Sequence, residues 1–356
     1  MKNRKVIVAC DSYKGCMSSR EVNGVVAETL LAEVARSGVS VSVVQLEMSD
    51  GGEGMLDAFL AAMGGERIRM MAHDALMRTV EACYGLSGGT AIVEIAQTAG
   101  LARIEPEQRN PMRAMSYGVG EMVVDAWRRG VRDFIVGLGG SATSDCGIGM
   151  LRAMGDDWRR VRRECRFTLA SDVTSPLYGD NGAARVFAPQ KGADAAMVEA
   201  LDARARRFAD VCARHFGYDR SQEPGAGAAG GLGYAFMQFF NARQEAGAEL
   251  LLDRLDFDNI LHDADLVITG EGHSDSQTLM GKLPQRILGR ASRAGVPAWL
   301  VSGGVDEASV MTEAGFARVI AVTPEDMPLA EAMKKSVARR NIAEAVGKDF
   351  SKTFCL

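Results

Sequence analysis

Strands that alternate with helices, in a chain of 356 residues, predict an α/β architecture with a largely parallel sheet and room for two domains. Three observations carry the prediction. Short apolar runs such as 6–10 (VIVAC) and 266–269 (LVIT) read as strands buried on both faces. Amphipathic helical stretches separate them; in 19–37, Val22, Val25, Val26, Thr29 and Leu30 share one face. Six polar loops rich in Gly, Asp, Ser, Thr and Lys follow the carboxyl ends of strands. In an open α/β sheet such loops converge on a ligand crevice.

In chain order, strand 6–10 empties into DSYKG, 11–15, and helix 19–37 follows. Strand 39–46 ends in MSDGGEG, 48–54, before helix 55–63. Residues 68–71, 79–84 and 91–95 read as strands, antiparallel in part. A helix over 117–129 precedes buried strand 133–138, which empties into GGSATSDCG, 139–147, and a helix reaching residue 154. Strand 167–170 leads to SDVTSPLYG, and 184–187 leads to APQKGA. A long helix of mixed charge covers 193–216, and PGAGAAGGLG, 224–233, precedes an apolar helix. Strand 266–269 opens into the loop 270–282, and a helix follows Pro284. Strands 298–301 and 318–322 and a helix over 329–346 complete the set. The region 67–263, with more short strands and the longest Gly-rich segments, reads as one domain, and 1–66 with 264–356 as the other.

Composition narrows the class. Hydrophobic content of 47%, 24% charged residues and a net charge of −5 describe a soluble globular protein with no general pull toward nucleic acid or anionic membrane. The basic run 159–166 (RRVRRECR) has no interleaved aromatics and reads as a solvated helix face or turn. Seven scattered cysteines form no CxxC, which points to neither a disulfide framework nor a zinc site. The N-terminal apolar run is too short for a signal segment, and no stretch is apolar enough to span a bilayer, so the chain reads as cytosolic.

The loops hold the chemistry. Asp11, Asp50, Glu53, Asp145, Asp172, Glu271 and Asp275 are carboxylates; Lys14, Lys191 and Lys282 are amines; Ser12, Ser141, Thr143 and Thr278 are hydroxyls. His273 is the one histidine among them. The inventory suits phosphoryl transfer, which needs cations and backbone amides around phosphates, carboxylates for Mg²⁺, and one carboxylate for the acceptor's proton. It suits hydride transfer or Ser–His hydrolysis less well. Each piece has a plainer use. GGSATSDCG is either a tightly packed helix start or an anion cradle, MSDGGEG is turn chemistry or an acidic site, and single lysines belong on surfaces. Gly225, Gly227 and Gly230 spell GxGxxG but follow polar residues, not a strand, and so serve tight packing better than a dinucleotide. No GxxxxGK[ST] occurs.

Read together, DSYKG, MSDGGEG, SYGVGE, GLGGSATSDCGIGML, SDVTSPLYGDNGAARVFAPQKGA, PGAGAAGGLG and LVITGEGHSDSQTLMGK resemble the bacterial glycerate kinase family, in its order, over residues 5–345. The resemblance implies a Rossmann-like domain and a second α/β domain around a cleft. It implies transfer of the γ-phosphoryl group of ATP to D-glycerate, with Mg²⁺, giving 2-phospho-D-glycerate. In that frame Asp275 is the base, Glu271 a Mg²⁺ or hydroxyl partner, and Asp172 a second metal residue that helps complete the cleft. Lys14 and Lys282 neutralise the substrate carboxylate or the moving phosphoryl group. Asp11, Ser12, Asp50, Glu53, Thr278 and Asp172 bind substrate; Gly139, Gly140, Ser141, Thr143, Gln190 and Lys191 hold the nucleotide. The implied partners are a small acid and a nucleotide, neither nucleic acid nor membrane, for a monomer or homodimer. Cys16, Met17, Ser144, Cys146, His273, Ser274 and Met280 depart from the family's usual residues, and the segment after Gly155 is shorter. Two other readings stand beside this one: a kinase for a related hydroxy or sugar acid, and a non-catalytic sugar-acid sensor.

Overall fold

The computed structural model describes residues 4–37 and 40–354. Its strands are β1 (Arg4–Cys10), β2 (Val41–Gln45), β3 (Glu66–His73), β4 (Thr79–Ser87), β5 (Thr90–Glu94), β6 (Asp133–Gly137), β7 (Arg166–Ala170), β8 (Arg243–Glu245), β9 (Leu266–Gly270), β10 (His273–Ser274), β11 (Ala298–Ser302), β12 (Gly304–Val305) and β13 (Arg318–Ala321). The expected start of the second strand at residue 39, and Cys355, lie outside the described residues.

Two compact units divide the chain, Met1–Asp50 with Ala248–Leu356, and Gly51–Gly247. The sequence placed the divisions later, after residues 66 and 263. The shift has two physical causes. Helix Met55–Met63 packs on β4 and β5 of the second unit. Helices Gly247–Arg254 and Phe257–Leu261 are tied to helix Leu283–Ala294 of the first unit through Arg290, whose guanidinium meets Glu249 at 2.6 Å, Asp258 at 3.4 Å, and Asp253.

The first unit is built on a five-stranded sheet in the order β13-β11-β9-β1-β2, parallel throughout. Val6 to Cys10 and every residue of β9 and β11 are buried, as the apolar runs required. Val22, Val25, Val26 and Leu30 of helix Ser19–Ser37 and Ile342, Val346 and Phe350 of helix Lys335–Phe354 belong to the same core as β1 and β9. Counting only the strands of this sheet, the order is 2-1-3-4-5, so the direction of winding reverses between β1 and β9. That reversal is where an open α/β sheet leaves its ligand crevice.

The second unit carries a six-stranded sheet, β3-β4-β5-β6-β7-β8. β3, β4 and β5 pair antiparallel, and β5 to β8 run parallel, which matches the mixed texture of the sequence. Phe134 stacks on Phe167, with ring centroids 4.7 Å apart, in a core completed by Leu232, Phe236 and Phe240. The residues 184–187, which lead to APQKGA, lie in a short helix, Ala183–Phe187. Two elements differ from expectation. The polar edge strand β8 carries no periodic signal. The final helix is two, Leu329–Ala332 and Lys335–Phe354. No helix among the described residues is long and apolar enough to cross a membrane.

Candidate active site

In the first unit β1 and β9 run side by side, and the Asp11 amide donates to the Gly270 carbonyl at 2.8 Å. The loops after both strands therefore leave the sheet together at the winding reversal. A Cβ on Gly270 would lie 1.6 Å from the Val301 carbonyl oxygen, so glycine is required there. Two buried polar residues of helix Ser19–Ser37 fix the neighbouring strand ends. Asn23 Oδ1 accepts the Cys10 amide at 2.9 Å and its Nδ2 donates to the Leu46 carbonyl at 2.7 Å. Ser19 Oγ donates to the Cys10 carbonyl at 2.7 Å and accepts the Met48 amide at 2.8 Å. These bonds hold the starts of DSYKG and MSDGGEG in register, and neither residue stood out in the sequence.

DSYKG closes as a tight turn, with the Tyr13 amide on the Met17 carbonyl at 2.8 Å and the Tyr13 hydroxyl donating to the Val301 carbonyl at 3.1 Å. Lys14 is exposed at its tip. Asp11 Oδ1 accepts the Ser12 amide at 2.7 Å. Burial and then the negative charge of Asp50 push the Asp11 carboxyl up to about 8; Glu271 adds to the rise, while the Ser12 amide and Lys14 oppose it. Asp11, Asp50 and Glu271 thus form one repelling carboxylate group.

Glu271 is the best-held of the three. Its Oε1 accepts the Thr278 hydroxyl at 2.7 Å and the Ser274 hydroxyl at 3.2 Å. Lys282 Nζ stands 3.7 Å from Glu271 Oε2 and 3.7 Å from Asp275 Oδ1. Burial raises the Glu271 carboxyl above its usual range, against the pull of Thr278 and Lys282. Asp275 is occupied differently. It caps the single turn Ser276–Leu279, with Oδ1 accepting the Gln277 amide at 2.9 Å and its own amide donating to Thr278 Oγ1 at 3.0 Å. Ser302, absent from the sequence reading, stands with its Oγ 2.7 Å from Ser274 Oγ. Of the atypical positions, Ser274 is buried, His273 pairs with Asp306 at 2.9 Å on the surface, and Met280 is 78% exposed.

In the second unit the loop 139–147 gathers its own set. Lys191 is buried, and its ammonium donates to Ser141 Oγ at 2.8 Å and the Thr143 carbonyl at 2.7 Å. Burial pushes that ammonium down to about 7, with Asp145 pulling weakly the other way. Among the described residues, the buried Thr143 Oγ1 and Ser144 Oγ have no hydrogen-bond partner. Asp145 is a structural hub that accepts Ser116 Oγ at 2.9 Å and the amides of Ser116, Gly147 and Gly149 at 2.9, 3.1 and 2.9 Å. The Gly-rich stretch 224–233 packs on this loop. Ala229, Gly230 and Gly231 all take positive φ, and a Cβ on Gly230 would lie 2.0 Å from the Thr143 carbonyl oxygen.

The structure brings Asp11, Ser12, Asp50, Glu271, Asp275, Thr278 and Lys282 into the first unit, with Lys14 close enough to act on Asp11. It brings Gly139, Gly140, Ser141, Thr143 and Lys191 into the second. Gln190 is exposed beside Lys191. Glu53 and Asp172 are exposed and belong to the second unit, whereas Asp50 and Glu271 belong to the first. Among the described residues no three His, Cys, Asp or Glu side chains stand as a ready-made metal cluster.

Comparison with known proteins gives the chain its family. The model of the glycerate kinase family matches residues 6–160 and 156–350. The glycerate kinase of Halalkalibacterium halodurans is 34% identical, with 95% of this chain and 97% of that protein covered. The glycerate 2-kinase of Escherichia coli is 35% identical, with 95% and 97% covered. A crystal structure from Salmonella typhimurium LT2, of a protein proposed to be glycerate kinase 2, superposes with a TM-score of 0.81 at 34% identity over 100% of both chains. The chain is a kinase and belongs to the glycerate kinase family.

Proposed function

We propose that this kinase transfers the γ-phosphoryl group of ATP to the 2-hydroxyl of D-glycerate, giving 2-phospho-D-glycerate, with Mg²⁺ assisting. The observation that supports it most is the group formed by Asp11, Asp50 and Glu271 with Lys14 and Lys282 at the β1/β9 reversal. A small hydroxy acid needs a cation for its carboxylate and a carboxylate for its hydroxyl, and Lys14, Lys282 and Ser12 supply donors for the first, while the Thr278 proton is committed to Glu271. Asp50 offers an acceptor for substrate hydroxyls. The family relative named for 2-phosphorylation favours the 2-hydroxyl. Membership of a kinase family sets aside the sensor reading.

The residues fit a divalent cation. Asp11 is driven toward its neutral form first by burial and then by the charges of Asp50 and Glu271, and a bound cation removes that repulsion. Asp11 and Asp50 would hold Mg²⁺, which supplies neutralising charge to the phosphate oxygens when bound. Glu271, expected as a ligand with Asp172, already receives two hydroxyls and faces Lys282. For the nucleotide, the hydroxyls of Thr143 and Ser144, unpartnered among the described residues, are donors suited to phosphate oxygens, whereas the Gly139 amide already donates to the Gly51 carbonyl at 3.3 Å. Lys191 braces that loop through Ser141 and Thr143.

Phosphorus NMR of the product from ATP, Mg²⁺ and D-glycerate tests the reading, and a doublet coupled to the C2 proton is the expected outcome. A panel of other hydroxy and sugar acids in the same assay separates glycerate from its neighbours. Faster turnover of another acid than of D-glycerate overturns the substrate assignment and leaves the kinase.

A further inference from the structure

Resting on that reading, we infer that Glu271, and not Asp275, takes the proton from the acceptor hydroxyl, and that Ser302 is the positioning residue that aims it through Ser274. The direction of the hydrogen bonds carries the argument. A carboxylate oxygen only accepts, so the single proton of Ser274, 3.2 Å from Glu271 Oε1, goes to Glu271. The 2.7 Å contact between Ser302 Oγ and Ser274 Oγ then has Ser302 as donor. Thr278 spends its proton on the same Oε1 at 2.7 Å, while its oxygen accepts the Asp275 amide at 3.0 Å. Two hydroxyls saturate Oε1, and Oε2 is left facing Lys282 at 3.7 Å, too far for a hydrogen bond.

The chain Ser302–Ser274–Glu271 is anchored at its far end in the sheet. Ser302 closes β11, its carbonyl accepts the Val322 amide at 2.9 Å, and Ser302, Ser274 and Thr278 are all 0% exposed. A carboxylate held by buried hydroxyls on a rigid strand keeps one rotamer, which is what a base needs. Asp275 lacks that support. Its Oδ1 is committed to the Gln277 amide, its side chain is 31% exposed, and its position serves the turn Ser276–Leu279. Asparagine caps such a turn as well as aspartate does.

The step balances. The glycerate oxygen bonds to the γ-phosphorus as its proton passes to Glu271 Oε2. The bond from that phosphorus to the β,γ-bridging oxygen breaks, and ADP leaves with the electron pair. Glu271 returns its proton to water after product release.

The test measures kcat and KM for D-glycerate and ATP in wild type, Glu271→Gln, Asp275→Asn, Ser302→Ala and the Glu271→Gln/Ser302→Ala pair. Glu271→Gln lowers kcat about a hundredfold or more, and Asp275→Asn stays within about threefold. Ser302→Ala lowers kcat about tenfold with both KM values unchanged, and adds nothing to Glu271→Gln in the double variant. Near-normal kcat in Glu271→Gln, or a hundredfold loss in Asp275→Asn, overturns the assignment of the base. Additive losses in the double variant overturn the role of Ser302. Should Glu271→Gln not fold, Glu271→Asp replaces it, and a loss of at least about tenfold is expected because the carboxyl retracts from both hydroxyls. Wild-type turnover of D-glycerate is read first. Its absence removes the substrate reading alone, and the same ratios are then measured on the acid that the enzyme does phosphorylate.

Discussion

Replacing Lys191 with methionine keeps the unbranched stem and deletes the buried ammonium. The folded chain holds that proton only up to about pH 7, whereas an ordinary lysine holds it to 10.5. Below about pH 7 both the folded and the unfolded chain are protonated, and the cost of the buried charge is fully present. Between about 7 and 10.5 the folded chain sheds the proton first, so stability climbs with pH; above that range the effect is gone. The gap between 10.5 and about 7 is worth roughly 5 kcal/mol in all, of which about 3 kcal/mol falls between pH 7 and 9. The variant also loses the bonds to Ser141 and Thr143, a pH-independent cost of about 1–3 kcal/mol. Urea unfolding followed by tryptophan fluorescence reads the transition, because Trp127 and Trp158 both lie in the second unit. The stability of Lys191→Met relative to wild type falls by about 3 kcal/mol from pH 7 to pH 9. Parallel pH profiles for the two proteins would refute the reasoning.

Arg290→Met loosens helices Gly247–Arg254 and Phe257–Leu261 from helix Leu283–Ala294. Because Asp253 and Asp258 are largely exposed and rehydrate, the cost is about 2–3 kcal/mol in calorimetry rather than that of a stranded buried charge. Asp145→Asn turns one acceptor into a donor against amides already pointing at it, and costs about 2–4 kcal/mol by the same measurement. Gly270→Ala yields no soluble folded protein, since its Cβ would sit 1.6 Å from the Val301 carbonyl oxygen; a normal melting curve for this variant would contradict the packing described. Chelation by EDTA abolishes turnover and added Mg²⁺ restores it, while Asp11→Asn raises the Mg²⁺ concentration for half-maximal rate at least about tenfold.

Much of the fold was legible because parallel strands buried on both faces leave continuous apolar runs, as at Val6–Cys10 and Leu266–Thr269, and because glycines mark the loops that follow. The candidate site was legible as an inventory. Asp11, Glu271, Thr278 and Lys282 do converge, and so do Ser141, Thr143 and Lys191. What the sequence hid was the division of labour. Asp275 looked like the centre of its loop, yet an aspartate three residues before a threonine is also a capping box, and in the fold it is one. Ser19, Asn23 and Ser302 read as ordinary polar residues because their partners arrive from distant strands, which periodicity cannot register. The edge strand β8 and the triple left-handed run at Ala229–Gly231 are likewise set by neighbours rather than by local preference.

The first unit's sheet also imposes an order on biosynthesis. The bond from Thr269 Oγ1 to the Ala9 carbonyl joins residues 260 apart, and β1 can pair with β9 only after everything between them has left the ribosome. Residues 51–247 can collapse as soon as they emerge, while β1, able to pair only with β2, waits with its β9 edge uncovered. Closing so long an unstructured loop costs about 5 kcal/mol, and less once its middle is folded. The β9 edge of β1 is therefore open to proteases and chaperones until β9 emerges, and the first unit's sheet matures after the second unit.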